Sequence, residues 1–361
     1  MPSKKYKNPD AQEVMSELGI VHVYRYLDNR RKQKIHQIKD GPLSLWRKDA
    51  SSAQALLSYI RRVTNKNSPD YIPPNDRIAV SDLDGTLFCE TDPTYFDFRL
   101  YHYRIMEDPD YKDKATEYQI SLAKTIDELI ETGKMPQDFE VEIGNAIADT
   151  FSGLTVEEFT DYVRRFGNRP AHGYEGMKAG EAFYKPMIQA LELLRENEFV
   201  IFISSGSDRE VVRSLVTPEL SIPPRNVLAT GEMIVARGQG DTDGTKYLYT
   251  EKDELVRGGK IQGKNLRMNK VSQIAQEIGQ QPVLCFGNSS GDFSMANYVT
   301  DNNKYSTFVM MLCCDDLERE NGNLKKAAEM EEMCRQSGWT PVSMKKDWKT
   351  IYGEGVVKKA L

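Results

Sequence analysis

At 361 residues the chain exceeds a single typical hydrophobic core, which predicts about two domains. Apolar residues make up 39% and charged residues 28%, as in globular proteins, and the net charge of −6 excludes the basic footprint that nucleic acid requires. No stretch reaches membrane-spanning length, and five cysteines without Cys-x-x-Cys spacing suggest neither a disulfide framework nor a zinc site. With no apolar signal-peptide core near the start, a reducing, cytoplasmic setting is expected.

Residues 1–50 are weakly periodic. Helices are expected from Ala11 to Leu18 and from Val21 to Ile38, and the basic run Arg30 to Lys34 reads as a solvated face. Ala53, Leu56, Leu57, Ile60 and Val63 recur at helical spacing, predicting a helix over Ser52 to Val63 ahead of the Asn65 to Pro69 linker.

The apolar run Ile78, Ala79, Val80 follows the turn-like Ile72-Pro73-Pro74-Asn75-Asp76 and stops at Ser81-Asp82-Leu83-Asp84-Gly85-Thr86. A short continuous apolar run suits a buried parallel strand, and ligands of open α/β sheets bind where such strands end. Asp82 and Asp84 place like charges in one loop, which favours a cation, a proton or both. The loop is therefore a candidate site for Mg²⁺ and for acid/base or nucleophilic chemistry on phosphate. A calcium loop fits poorly, since its oxygen-ligand positions five and twelve hold Thr86 and Pro93.

A helical insertion follows. Asp92-Pro93 has the form of an N-cap and first helical position, and the aromatics Tyr95, Phe96, Phe98, Tyr101, His102 and Tyr103 come next. Tyr118, Leu122, Ile126, Leu129 and Ile130 mark a second helix closed by Gly133; Phe139, Ile143, Ile147 and Phe151 mark a third. Thr155-Val156-Glu157-Glu158 is a capping box for a fourth, faced by Phe159, Tyr162, Val163 and Phe166.

The α/β pattern resumes with a helix from Pro186 and a strand Phe199 to Ile203 that ends in Ser204-Ser205-Gly206-Ser207-Asp208-Arg209. Amides and hydroxyls at that helix start suit an anion. Short strands and turns are expected from Ile222 to Leu266, then a helix opened by Lys270. Val283 to Phe286 is a third buried strand, ending in Gly287-Asn288-Ser289-Ser290-Gly291-Asp292. The last strand expected is Thr307 to Leu312, followed by a helix from Leu324 to Cys334.

Asp82 with Asp84, Ser205, Lys270, and Asn288 with Asp292 thus lie in order at strand ends or helix starts. Over residues from about 76 to 316 this pattern resembles the haloacid dehalogenase superfamily of phosphohydrolases. The resemblance implies an α/β fold, with a Rossmann-like parallel sheet core flanked by helices and an inserted α-helical cap. The core would span 76–90 and 185–361, the cap 91–184, and 1–75 would form an N-terminal helical extension. The cap is similar to that of phosphoserine-phosphatase-like and phosphocholine-phosphatase-like members.

The resemblance further implies roles for single residues. Asp82 would be the nucleophile and Asp84 the general acid and base. Thr86, Ser205, Gly206 and Lys270 would bind phosphate, with Ser205 and Lys270 also serving catalysis; Arg209, beside that site, would either reach the substrate or lie on its helix surface. Mg²⁺ would be held by Asp82, Asp84 through its backbone carbonyl, Asn288 and Asp292. Asn288 departs from the aspartate usual at its position and brings no charge to the metal. The expected activity is a Mg²⁺-dependent phosphatase acting on a small phosphorylated metabolite, such as a phosphorylated amine or amino acid. Two alternatives share the fold: a binding protein that has lost turnover, motivated by Asn288, and a phosphotransferase using an alcohol acceptor. Neither a nucleic-acid nor a membrane partner is expected, and oligomeric state is unreadable.

Overall fold

The computed structural model describes residues 41–360; the helices expected before residue 40 lie outside it. Helix α1 (Ser51–Thr64) buries Leu56, Ile60 and Val63. Its Tyr59 stacks on Phe308 and donates its hydroxyl to the carbonyls of Val283 and Ser306, which clamps the helix to the strands beneath.

Strand β1 (Ile78–Ser81) is buried throughout. Four helices follow before the next strand: α2 (Phe96–Met106), α3 (Glu117–Thr132), α4 (Phe139–Thr150) and α5 (Val156–Gly167). The capping box at Thr155 forms, and Gly133 closes α3 in the left-handed conformation. Phe151 packs between Phe159 and Tyr162, and Phe96 against Phe166, so the aromatic stripes join the four helices. Asp92 does not cap a helix as expected. The first helix begins at Phe96, and the Asp92 carboxylate instead accepts the backbone amides of Gly173 and His172 at 2.6 and 3.2 Å. It thereby ties the start of the insertion to its end.

The chain continues through β2 (Tyr174–Glu175), α6 (Lys185–Glu196), β3 (Val200–Asp208), α7 (Arg209–Leu220), β4 (Val227–Ala236) and β5 (Leu255–Gly263). After these come α8 (Met268–Gln273), β6 (Leu284–Gly287), α9 (Phe293–Thr300), β7 (Phe308–Cys313) and α10 (Leu324–Ser337). Strand β8 (Thr340–Ser343), the short helix α11 (Met344–Asp347) and β9 (Val357–Lys358) complete it.

The main sheet has seven strands in the order β5-β4-β3-β1-β6-β7-β8. All neighbours are parallel except β4 and β5, which form an antiparallel edge. This is an α/β Rossmann-like architecture. From β1 the chain builds outward first through β3 and β4, then on the other side through β6, β7 and β8. The direction reverses beside β1, and the crevice at the carboxyl end of that strand is where such sheets bind ligands. Among the described residues, no helix is long and apolar enough to cross a membrane.

Candidate active site

The backbone amide of Asp82 donates to the Phe286 carbonyl, carrying the β1–β6 ladder one residue past the strand. The chain then turns sharply: Gly85 takes φ +75° and donates its amide to Phe88, while Thr86 and Leu87 donate theirs to Leu83. The turn leaves Asp82 and Asp84 at the sheet's carboxyl edge, both buried.

Lys270, on α8, reaches the same point. Its ammonium donates to Asp82 Oδ1, Asp292 Oδ1 and the Ser204 carbonyl, each at 2.7 Å, so all three protons are used. Burial opposes the lysine's charge, but Asp292 and Asp82 outweigh it and hold its pKa above the ordinary lysine range. Four segments distant in sequence, the ends of β1, β3 and β6 and the helix α8, thus converge.

Asp84 faces β3. Its Oδ2 accepts the hydroxyls of Ser205 at 3.2 Å and Ser207 at 2.8 Å, while Ser205 Oγ also accepts the Ser207 amide. Asn265 fixes this strand end, its side-chain amide donating to Ser204 Oγ and to the carbonyls of Ser205 and Leu228.

On the β6 side, Asp292 is fully engaged. Oδ1 takes Lys270, and Oδ2 accepts the backbone amides of Asn288 and Ser289 at 3.0 and 3.1 Å. Thr86 Oγ1 lies 3.2 Å from Asp82 Oδ2 and 3.3 Å from Asn288 Oδ1, so one hydroxyl touches both side chains. The Asn288 amide nitrogen donates to Glu90 Oε1 at 3.1 Å.

Acidic groups outnumber the bases here. Burial, then Asp292, pushes Asp82 up to about 7 despite Lys270. Burial and Asp97 push Asp84 up to about 6; burial, Asp84 and Asp82 push Glu90 up to about 8. Such an excess of buried carboxylate is relieved by a cation. Among the described residues no three His, Cys, Asp or Glu side chains form a metal cage. The oxygens that share the Thr86 hydroxyl are one carboxylate oxygen of Asp82 and the amide oxygen of Asn288. That set fits Mg²⁺, a hard ion that keeps several waters and uses few protein oxygens.

The cavity above these groups measures about 250 Å³. It is lined by Asp82, Asp84, Gly206, Ser207, Lys270, Asn288 and Asp292 at the floor, and by Tyr95, Asp97, Phe98, Met135 and Glu140 from the helical insertion. Lys264 and Arg267, between β5 and α8, complete the rim. Of the insertion aromatics, Tyr95 and Phe98 face this cavity; His102 lies elsewhere, paired with Asp127 at 3.0 Å.

Of the two roles open to Arg209, the structure favours the one away from the phosphate. Its guanidinium donates to the Ala229 carbonyl and pairs with Glu277 at 3.2 Å, which turns it away from the cavity. Glu90, Asp97 and Lys264 were not singled out from sequence. Glu90 carried a signal all the same, as a lone acid after the apolar run Leu87-Phe88-Cys89.

The chain matches the family described as haloacid dehalogenase-like hydrolase over residues 79–297. Solved structures that align with the chain include a conserved functionally unknown protein from Anaerococcus prevotii DSM 20548, at 16% identity and a TM-score of 0.47, covering 81% of this chain and 92% of that one. Cytosolic 5'-nucleotidase IIIB bound to cytidine aligns at 13% identity and a TM-score of 0.45, covering 80% and 84% of the two chains. A substrate-bound phosphoserine phosphatase complex aligns at 12% identity and a TM-score of 0.35, covering 72% and 98%. No curated protein matches the chain in sequence.

Proposed function

Because the chain belongs to the haloacid dehalogenase-like hydrolases, we propose that it is a Mg²⁺-dependent phosphomonoester phosphatase that carries the phosphoryl group on Asp82. The observation that supports this most is the position of Lys270 Nζ, 2.7 Å from both Asp82 and Asp292 at the end of the central strand. A carboxylate held there, with a fixed cation beside it, is oriented for in-line attack on phosphorus.

In the first step an Asp82 oxygen forms a bond to phosphorus while the phosphorus–oxygen bond to the leaving alcohol breaks, and Asp84 gives that alcohol a proton. In the second step Asp84 takes a proton from water, whose oxygen displaces Asp82 and releases inorganic phosphate. Ser205 and Ser207 hold one oxygen of Asp84 and leave the other for proton transfer. Lys270 compensates charge on Asp82 and on the transferring group, and the backbone at Gly206 would meet the phosphoryl oxygens. Asp82, Asn288 and the Asp84 carbonyl would hold Mg²⁺, whose charge neutralises phosphate and nucleophile together. Asp292 would orient Lys270 and the Asn288 backbone rather than bind the ion.

The substrate is a small phosphomonoester whose alcohol part carries an ammonium group. Asp97 and Glu140 line the same cavity as the rings of Tyr95 and Phe98 and suit a cation, and about 250 Å³ suits a small metabolite. Asp82→Asn abolishes Mg²⁺-dependent hydrolysis of p-nitrophenyl phosphate with an unchanged circular dichroism spectrum; turnover at the wild-type rate in that variant refutes the assignment. In a panel of phosphomonoesters, phosphorylated amines give the highest kcat/KM, and preference for uncharged alcohols rejects the substrate class.

A further inference from the structure

We propose that Glu90 is a positioning residue for the metal: it holds the Asn288 side chain so that Oδ1, and not Nδ2, faces Asp82. The inference rests on the reading that Asp82 and Asn288 share a divalent cation.

An aspartate presents equivalent oxygens whichever way its carboxylate turns. An asparagine presents an oxygen at one end and an NH₂ group at the other, and only the oxygen binds a hard cation. Placing Asn288 at this position therefore creates an orientation requirement. Glu90 meets it. Its Oε1 lies 3.1 Å from Asn288 Nδ2, while Asn288 Oδ1 lies 3.3 Å from Thr86 Oγ1, the hydroxyl that also contacts Asp82 Oδ2 at 3.2 Å. Turned the other way, the amide would set two oxygens against each other at Glu90 and aim a donor at the metal position. In the observed arrangement Glu90 Oε1 is the acceptor, so the amide turns its NH₂ toward Glu90 and its oxygen toward Thr86.

Two neighbours make the arrangement a built one. The Asn288 backbone amide is held by Asp292 Oδ2 at 3.0 Å, which leaves the side-chain torsions for Glu90 to settle. Gly85 provides the space. A Cβ on it would lie 1.9 Å from Asn288 Nδ2 and 2.6 Å from Glu90 Cδ, so the contact passes through a gap that only glycine leaves open.

Isothermal titration with Mg²⁺ tests the assignment without reference to turnover. Glu90→Ala lowers Mg²⁺ affinity about tenfold or more, the usual effect of removing a group that orients a metal ligand. Glu90→Gln, which keeps an accepting oxygen, retains affinity within about threefold of wild type. In the Asn288→Asp background, where residue 288 has no orientation to lose, Glu90→Ala costs no affinity. Wild-type affinity in Glu90→Ala overturns the proposal, as does an equal loss in both backgrounds, which makes Glu90 a direct ligand. Glu90→Gln and the Asn288→Asp pair preserve the test if Glu90→Ala fails to fold. Failure of the underlying reading is distinct: wild type then binds no Mg²⁺, or Asp82→Asn binds it as tightly.

Discussion

Gly85 carries two demands at once, a backbone at φ +75° and a gap filled by its neighbours' side chains. Gly85→Ala meets the left-handed penalty of about 1–2 kcal/mol and drives a methyl into Asn288. The expected result is a lower Tm together with weaker Mg²⁺ binding; a variant as stable as wild type with unchanged affinity contradicts the loop geometry. Asp84 is the second residue with a specific expectation. Asp84→Asn keeps the shape that Ser205 and Ser207 grip but cannot exchange the proton, so kcat falls about 10²–10⁴-fold while the fold survives. At this scale the sequence was most readable at Asp82, Asp84, Ser205, Lys270, Asn288 and Asp292, because each stands where an apolar run ends or a helix starts. Glu90, Asp97 and Lys264 escaped notice because their meaning comes from partners far along the chain, and Arg209 had two readings because an arginine next to a phosphate-like loop can turn either way.

Among elements, β5 deserves the closest comparison with its neighbours. It runs antiparallel at the sheet edge and carries Arg257, fully buried, from which an ion pair of 2.7 Å reaches Asp208 at the end of β3. The same guanidinium lies 3.7 Å from the ring centroid of Phe159 on α5, and the Arg257 backbone bonds Gly153 and Leu154, so one residue fastens the helical insertion to the sheet. Arg257→Met strands the buried Asp208 carboxylate without its ion partner, at a cost of about 3–5 kcal/mol, read from chemical denaturation. Little or no loss contradicts the fastening role. Glu232, beside Arg257, adds a pH signature. Burial outweighs the pull of Arg257 and pushes Glu232 from 4.5 up to about 8, so between those values the native state binds more protons than the unfolded chain. Stability from this group therefore falls as pH rises across that window, and Glu232→Gln flattens the slope. Helices such as α5 were legible because caps and apolar spacing are local. The β4–β5 pairing was read only as short strands and turns, since the partner of an edge strand is settled by long-range contacts such as Arg257 with Asp208.

For the molecule as a whole, the final stretch packs against Trp46 ahead of the core and against β2 near the end of the insertion. Trp348 packs edge-on against Trp46, and β9 pairs with β2. Between them Glu320, fully buried, accepts the hydroxyls of Thr91, Tyr174 and Tyr352 and the amide of Asn321. Tyr352→Phe deprives one Glu320 oxygen of its donor and lowers stability by about 1–3 kcal/mol, measured by thermal unfolding; an unchanged Tm contradicts this role. None of this packing was foreseen, because β8 and β9 are short and Glu320 sits in a polar run with no local pattern. The central α/β order was foreseen, since each core strand announces itself as a buried apolar run ending in functional residues. The most direct measurement is acid-quenched peptide mass spectrometry of the Mg²⁺-loaded protein during turnover of p-nitrophenyl phosphate. The account predicts a phosphoryl group on the peptide containing Asp82, absent from Asp82→Asn; turnover in a wild type that is phosphorylated at another residue, or nowhere, contradicts it.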